Sequence, residues 1–296
     1  MFPDFFYPPL CDTLDLQNFY LAMMSLREKT EKLKSLIQKM DRVLIAFSGG
    51  VDSTLVLAIA HEVLGRNVLA VTAQSDSVPN REREACHRLS QEIGAEHIFI
   101  QTNEMSNPDY KANPANRCYH CKTELYSCLK KVALEKKFPY ILNGINTDDL
   151  GDYRPGIDAA RENEVRSPLV EAGFNKQNIR DLAQQMELSI WDKPAMACLS
   201  SRIPYGEQVT HEKLKRIEKA EDLLLAMGFK QLRVRHHGET ARIELGQNEM
   251  QQFTANIEST VKEKFKVLGF HSVYLDPKGY RMGSLNEVLK EKTDYV

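Results

Sequence analysis

The sequence predicts an α/β protein, a doubly wound parallel sheet followed by a smaller C-terminal α+β domain. Three observations predict it. Short apolar runs alternate with helical patterns from about residue 43 to residue 143. The first run ends directly in Ser48-Gly49-Gly50-Val51-Asp52-Ser53 and passes into a helix. After about residue 205 the rhythm changes to helix, strand, strand, helix, strand. Strand–helix–strand units force a parallel pairing with a right-handed crossover, and such a sheet binds its ligand beyond the carboxyl ends of the strands.

Residues 1–20, rich in proline and aromatics, are expected to form an extended arm draped over the parent domain. An amphipathic helix is expected over 21–40. Val43–Phe47 is the first strand, with a helix from Ser53 to about Leu64 and a second strand at Val68–Thr72. A helix near 80–94, a strand at His97–Gln101, a helix near 120–136 and a strand at Tyr140–Asn143 continue the alternation. Thr210 is placed to cap a helix running to Ala226, which Gly228 ends. Gln231–His236 and Thr240–Leu245 alternate around His237-Gly238-Glu239, a hairpin signal. A helix over about 248–267, a strand at His271–Leu275 and a terminal helix complete the chain. The expected domains are therefore the arm (1–20), an ATP-binding domain (21–205) and a smaller domain for substrate binding or oligomerisation (206–296).

Composition excludes several partners. A formal net charge of −2 without a basic stripe argues against a nucleic-acid backbone as ligand. No apolar run reaches the ~18 residues of a membrane span. The start, MFPDFFYPPLCD, has neither the basic region nor the apolar core of a signal peptide, so a cytoplasmic location is expected.

SGGVDS between a buried strand and a helix is a phosphate-binding loop. Gly49 and Gly50 allow close backbone approach and offer unhindered N–H donors, and the helix N-terminus adds partial positive charge. Ser48 and Ser53 supply hydroxyl donors. Asp52 is read as a Mg²⁺-site residue, because a bare carboxylate would repel the phosphates of ATP. The loop lacks the lysine of a Walker A sequence. It resembles instead the PP-loop superfamily of ATP pyrophosphatases, which implies cleavage between the α- and β-phosphates. Asn143-Gly144-Ile145-Asn146-Thr147-Asp148-Asp149 ends another strand and should reach the same edge of the sheet. Gly144 is read as an ATP-site residue, and Asp148 and Asp149 suit a hard, oxygen-ligated Mg²⁺. By the same resemblance, Val71–Ser77 borders the adenine.

Of six cysteines, Cys118 and Cys121 form a C-x-x-C pair at the entry to a helix, and Cys198 lies in KPAMACLSSRIPYG near the domain boundary. Such a pair is a redox dithiol, half a zinc site or part of a cluster site. A structural zinc would take four ligands and no second C-x-x-C exists. Three thiolates suit a [4Fe–4S] cluster with one iron open to an exogenous ligand. Cys128, two turns along the helix, belongs to the core. Cys11 and Cys86 carry no assigned role.

The segments AFSGGVDS, NGINTDDLGDYRPG, SPLVEAGFNKQNIRDLA, ACLSSRIPYGEQVT and LRVRHHGETARIEL together resemble the LarE family over about residues 25–290. These ATP-dependent sulfur transferases make the pyridinium-3,5-bisthiocarboxylic acid mononucleotide of the nickel-pincer cofactor of lactate racemase. The resemblance implies that ATP adenylates a pyridinium carboxylate and that a sulfur nucleophile then displaces AMP. Two sulfur sources occur in the family. In one, the cysteine at the position of Cys198 is sacrificed; in the other, three cysteines hold a [4Fe–4S] cluster whose open iron carries hydrosulfide. Cys118 and Cys121 point to the second. The resemblance also implies a sulfide donor and a homo-oligomer, and assigns Arg233 and Arg235 to the substrate's phosphate. The two arginines share one face of a strand, where cross-strand pairing with Glu244 is the alternative. Arg202 is a candidate for holding a carboxylate or phosphate. Glu218 and Glu221 share a helix face that is either solvated or turned to the site. A tRNA thiolase, an ammonia-dependent synthetase and a nucleotide-binding scaffold without catalysis are the competing readings.

Overall fold

A computed structural model describes residues 24–151, 155–194, 197–281 and 283–286. The expected arm and terminal helix lie outside the described residues. Ser25 opens the first helix, α1 (Leu26–Gln38), through a reciprocal capping box with Glu28. Parallel strands β1 (Val43–Ala46), β2 (Val68–Gln74), β3 (Glu96–Gln101) and β4 (Tyr140–Leu142) form one sheet in the order β3-β2-β1-β4. Val43 of β1 stands opposite both Val68 and Tyr140. Successive side chains of β1 enter opposite cores, Val43 and Ile45 on one face and Leu44 on the other. That alternation is why helices must cover both faces.

The first face carries α1, α2 (Val51–Leu64), α3 (Asn80–Ile93), α7 (Pro168–Ala172) and α8 (Lys176–Gln185), packed through Leu33, Leu55, Cys86, Leu169 and Ile179. The second carries α5 (Arg117–Glu135) and α6 (Pro155–Glu162), through Tyr126, Leu129 and Ala159. A short α4 (Pro108–Lys111) precedes α5. The chain leaves β1 toward β2 and β3 on one side and returns to β4 on the other, so the topological switch falls between β1 and β4. Ligands of open α/β sheets bind there.

The second sheet has the order β5-β6-β7. β5 (Leu232–His237) and β6 (Thr240–Leu245) are the expected antiparallel pair, and β7 (Ser272–Leu275) joins β6 in parallel. Helices α9 (His211–Ala226) and α10 (Ala255–Val267) pack on one face of it. The helix expected from 248 begins only at Ala255. The Glu249 carboxylate receives the N–H groups of Lys230 and Gln231 at 2.7 and 2.9 Å, which pins that segment to the edge of β5 and holds Met250–Gln252 as a single 3-10 turn. A further cluster of Tyr110, Leu199, Ile203, Val209, Leu214 and Ile217 carries packing across residue 205. Among the described residues, no helix is long and apolar enough to cross a membrane.

Candidate functional site: a phosphate loop, a carboxylate cluster and three thiols

The SGGVDS loop leaves β1 at the switch point. Gly49 adopts φ +66°, and a Cβ there would lie 2.8 Å from the Cys86 sulfur. Cys86 is thus the floor of the loop, and burial pushes its thiol up to about 11. Gly50 is the N-cap of α2, and no side chain caps the helix. Its first-turn N–H groups are therefore available to an anion. The Ser53 hydroxyl donates to the Gly50 carbonyl and stands 3.1 Å from the Ser48 hydroxyl, so both hydroxyls face one concavity. Lys193 braces the loop from outside, reaching the Gly49 carbonyl at 3.4 Å and Glu82 at 2.6 Å.

The loop after β4 wraps onto this turn. Gly144 packs so closely that a Cβ would lie 2.7 Å from the Ser53 nitrogen. Asn146 donates its side-chain amide to Asp52 at 3.2 Å, and its backbone N–H to Asp149 at 3.1 Å. Lys176, the first residue of α8, grips both Asp52 oxygens at 2.6 and 2.8 Å and donates its N–H to Asp148 at 2.9 Å. Asn146 and Lys176 thus link Asp52 to Asp149 and to Asp148. The cation among them is a lysine that sequence reasoning passed over. Its signal was the Asn175–Asn178 capping box, which places residue 176 at a helix start. Pairing to a carboxylate 124 residues away had no sequence signal.

Cys118 lies in the first turn of α5 and Cys121 opens the second, further into the helix than expected, and Cys198 immediately precedes a 3-10 turn at Leu199–Arg202. The three are electrostatic neighbours. Burial and then the Cys198 charge raise Cys118; burial, Glu104 and Cys198 raise Cys121. Two cations answer them. Burial opposes the Arg117 charge, but Cys198 and Cys118 lift it above its ordinary value. Burial opposes Lys122 as well, and Tyr126 together with the three thiols overcomes it. Cys118 and Lys122 are exposed to solvent. Among the described residues, no three His, Cys, Asp or Glu side chains stand close enough to hold a single metal ion. Cys128 is half-buried on α5, 3.6 Å from Glu124.

Segments on either side of Cys198 are tied to the ATP side, Lys193 to Gly49 and the Leu199 N–H to the Ser77 carbonyl at 2.8 Å. Ser77 in turn shares the buried Glu104 carboxylate with Ser75.

The arginines behave differently from one another. Arg202 is fully buried, and all three of its nitrogens donate to the protein: to Glu221, to the Ala197 and Cys198 carbonyls and to Ser201. It holds the backbone of the cysteine loop instead of reaching toward a ligand. Glu221 is not on a solvated face; it is buried, accepts from Arg202, Arg81 and the Val234 N–H, and those guanidinium charges outweigh its burial to hold its carboxyl low. Glu218 accepts the Asn80 N–H at 2.6 Å. Arg235 takes the cross-strand alternative, pairing with Glu244 at 2.7 Å, and also donates to Ser201 and Ser284. Arg233 stacks over Tyr280 at 5.0 Å; burial and the neighbouring Arg202 bring it down to about 10.

Residues 24–152 match the PP-loop domain family. Over 265 residues, 89% of this chain and 99% of the relative, the sequence is 48% identical to an uncharacterised protein of Synechocystis sp.. It is 38% identical over 268 residues, 90% of this chain and 97% of the relative, to pyridinium-3,5-bisthiocarboxylic acid mononucleotide synthase of Lactiplantibacillus plantarum. The tRNA-specific 2-thiouridylase of Halothermothrix orenii is 26% identical over 194 residues, 52% of this chain and 54% of the relative. The PP-loop makes the amino-terminal part an ATP-binding domain, and the likeness to the Lactiplantibacillus enzyme runs through both sheets and the cysteine loop between them; the chain belongs to the pyridinium-3,5-bisthiocarboxylic acid mononucleotide synthase family of ATP-dependent sulfur transferases.

Proposed function

We propose that the chain adenylates a carboxylate of a pyridinium dicarboxylate mononucleotide with ATP and converts it to a thiocarboxylate for a nickel-pincer cofactor. The observation that carries this reading is the tie between the two halves of the site. The Cys198 segment is hydrogen-bonded to the phosphate loop and to the end of β2, so sulfur chemistry sits beside ATP chemistry.

A carboxylate is a poor acyl donor until its oxygen becomes a good leaving group. Its attack on the α-phosphorus forms the acyl adenylate and releases pyrophosphate, whose charge the uncapped α2 N-terminus receives. Lys176 pairs with Asp52, and in this reading its ammonium is the cation placed to meet the phosphates of ATP. Mg²⁺ is commonly held by one or two carboxylates plus substrate phosphates, so Asp52 with Asp148 or Asp149 suffices without a third protein ligand. Arg233 is the group proposed for the substrate's phosphate, with Arg235 anchored behind it. A sulfur nucleophile then attacks the acyl carbon and AMP leaves.

Cys118, Cys121 and Cys198 are the residues that would hold a [4Fe–4S] cluster. The donor set fits: three thiols face Arg117 and Lys122, cations with no carboxylate in ion-pair distance among the described residues. When bound, the cluster would supply an open iron to carry sulfide from an external donor. A homo-oligomer belongs to the same proposal.

The test is ATP–pyrophosphate exchange and product mass under anaerobic conditions. Exchange should require the pyridinium mononucleotide and ignore tRNA, and Cys198→Ser should keep exchange while losing thiocarboxylate. Exchange stimulated by tRNA, or thiocarboxylate formed at the full rate by Cys198→Ser, would sink the reading.

A further inference from the structure

Asn113 is fully buried and adopts φ +56°, a left-handed conformation that asparagine tolerates better than most non-glycine residues. Its surroundings are the stretch after Cys198. The Asn113 side-chain amide donates to the carbonyls of Pro204 at 2.7 Å, Glu207 at 3.0 Å and Ile203 at 3.3 Å, and its own carbonyl accepts the Gly206 N–H at 2.9 Å. Two further bonds run in parallel, from the Val209 N–H to the Lys111 carbonyl and between the Tyr110 and Ser200 hydroxyls. Residues 110–113 thus form a bracket around residues 200–209.

Arg117 completes the bracket. It is 2% exposed, and its Nη1 donates both to the Asn113 side-chain oxygen and, at 3.0 Å, to the Ser200 carbonyl. Its guanidinium lies over the Tyr205 ring at 5.9 Å. Both protein acceptors are neutral, and among the described residues no carboxylate pairs with it. A buried guanidinium is rarely left without an anion, because desolvating the charge is costly. The groups it faces instead are sulfurs. Arg117 immediately precedes Cys118 on α5, and Ser200 lies two residues after Cys198. Arg117 therefore stands on the helix that carries Cys118 and bonds the backbone two residues beyond Cys198.

Resting on the sulfur-transfer reading above, we infer that Arg117, locked by Asn113, is a positioning residue for the sulfur-delivering step: it docks the Cys198 loop onto the C-x-x-C helix and lends that junction a fixed positive charge. Adenylation does not need the junction, since the phosphate loop, Lys176 and the acidic loop are assembled elsewhere on the sheet edge.

The experiment uses the full-length, reduced protein and the variants Arg117→Met, Arg117→Lys and Asn113→Ala, metal-free for the first readout and reconstituted anaerobically with iron and sulfide for the second. The first readout is independent of activity: bridging of Cys198 to Cys118 or Cys121 by a short thiol-bridging reagent, mapped by mass spectrometry. Bridging should fall about fivefold or more in Arg117→Met and Asn113→Ala, and Arg117→Lys should recover it to within about twofold, because geometry at a site degrades steeply with small displacements. The second readout separates the half-reactions. Single-turnover thiocarboxylate formation should fall about 100-fold in Arg117→Met while pyridinium-dependent ATP–pyrophosphate exchange stays within about twofold. Unchanged bridging and sulfur transfer in Arg117→Met would overturn the inference. Equal loss of exchange and sulfur transfer would also overturn it, as a general structural clamp predicts that result. If Arg117→Met does not fold, Arg117→Lys decides: a folded Arg117→Lys with bridging lost about fivefold contradicts the charge-bearing role. A wild-type protein without exchange would defeat the proposed function, whereas the bridging series still reports on Arg117 alone.

Discussion

A methyl group at position 144 would sit 2.7 Å from the amide nitrogen of Ser53 and 3.1 Å from the carbonyl carbon of Asp52, both backbone atoms of the phosphate loop. Neither can yield without moving the donors that meet pyrophosphate. At Gly50 the same methyl meets only the Ser48 hydroxyl, at 3.5 Å, an ordinary contact. Gly144→Ala should therefore weaken ATP binding about tenfold or more while Gly50→Ala changes it by less than about threefold, read as Kd by calorimetry. A Gly144→Ala protein with wild-type affinity would remove the close approach from the account. Charge makes a separate prediction at Lys176. Lys176→Ala leaves the Asp52 carboxylate facing an incoming triphosphate, so the KM for ATP should rise about tenfold, or ~1.4 kcal/mol. Lys176→Arg should restore part of it, because the guanidinium keeps the charge but not the compact reach of the amine.

At the scale of elements, β5 shows how one strand serves two masters. Leu232 and Val234 face the core under α9 and α10, while Arg233 and Arg235 point to the opposite face, toward Tyr280 and toward Glu244 and Ser201. His236 falls on the core side by the same alternation, packed on Phe270 at 5.5 Å with neither ring nitrogen hydrogen-bonded. Burial first, then Lys213 and Arg216, lower it to about 4, against a weaker opposing pull from Glu207. His97 on β3 is lowered to about 4 by burial and His87. The unfolded chain takes up these protons near pH 6.5, whereas the native protein does so only near 4. Stability is thus fully present above about pH 6.5 and is lost as pH falls toward 4, at up to ~1.4 kcal/mol per unit for each histidine. His236→Phe should flatten that slope in Tm measured from pH 7 to pH 4.5; an unaltered slope would show that His236 takes up its proton as readily in the fold as in the unfolded chain.

Across the whole molecule, the two sheets are joined at Glu221. It accepts from Arg202 behind the cysteine loop, from Arg81 on α3 and from the backbone of β5. Removing a buried partner strands its charges, so Glu221→Ala should cost about 3–5 kcal/mol in urea denaturation. Arg81→Ala, at the half-buried rim of the same junction, should cost less, about 1–2 kcal/mol, since Arg202 still pairs with Glu221. Much of this architecture was legible beforehand. The strand–helix alternation, the strand-to-helix context of SGGVDS and the hairpin at Gly238 are local patterns, and each returned within a few residues of its expected bounds. The carboxylates of the acidic loop were legible for the same reason, being set by the end of a strand. Arg202 was not, since a loop arginine near a cysteine looks the same in sequence whether it meets a ligand or a buried glutamate on another helix. Lys176, Arg117 and Glu104 were passed over because their partners lie 124, 83 and 29 residues away. The sequence by itself determined the period of each element, the loop that can take a phosphate and the supply of thiols, because these depend on neighbours in the chain. Only the tertiary structure decided which charges are neutralised, which glycine must stay bare and which arginines are taken up by buried glutamates, because those depend on what the fold presses together.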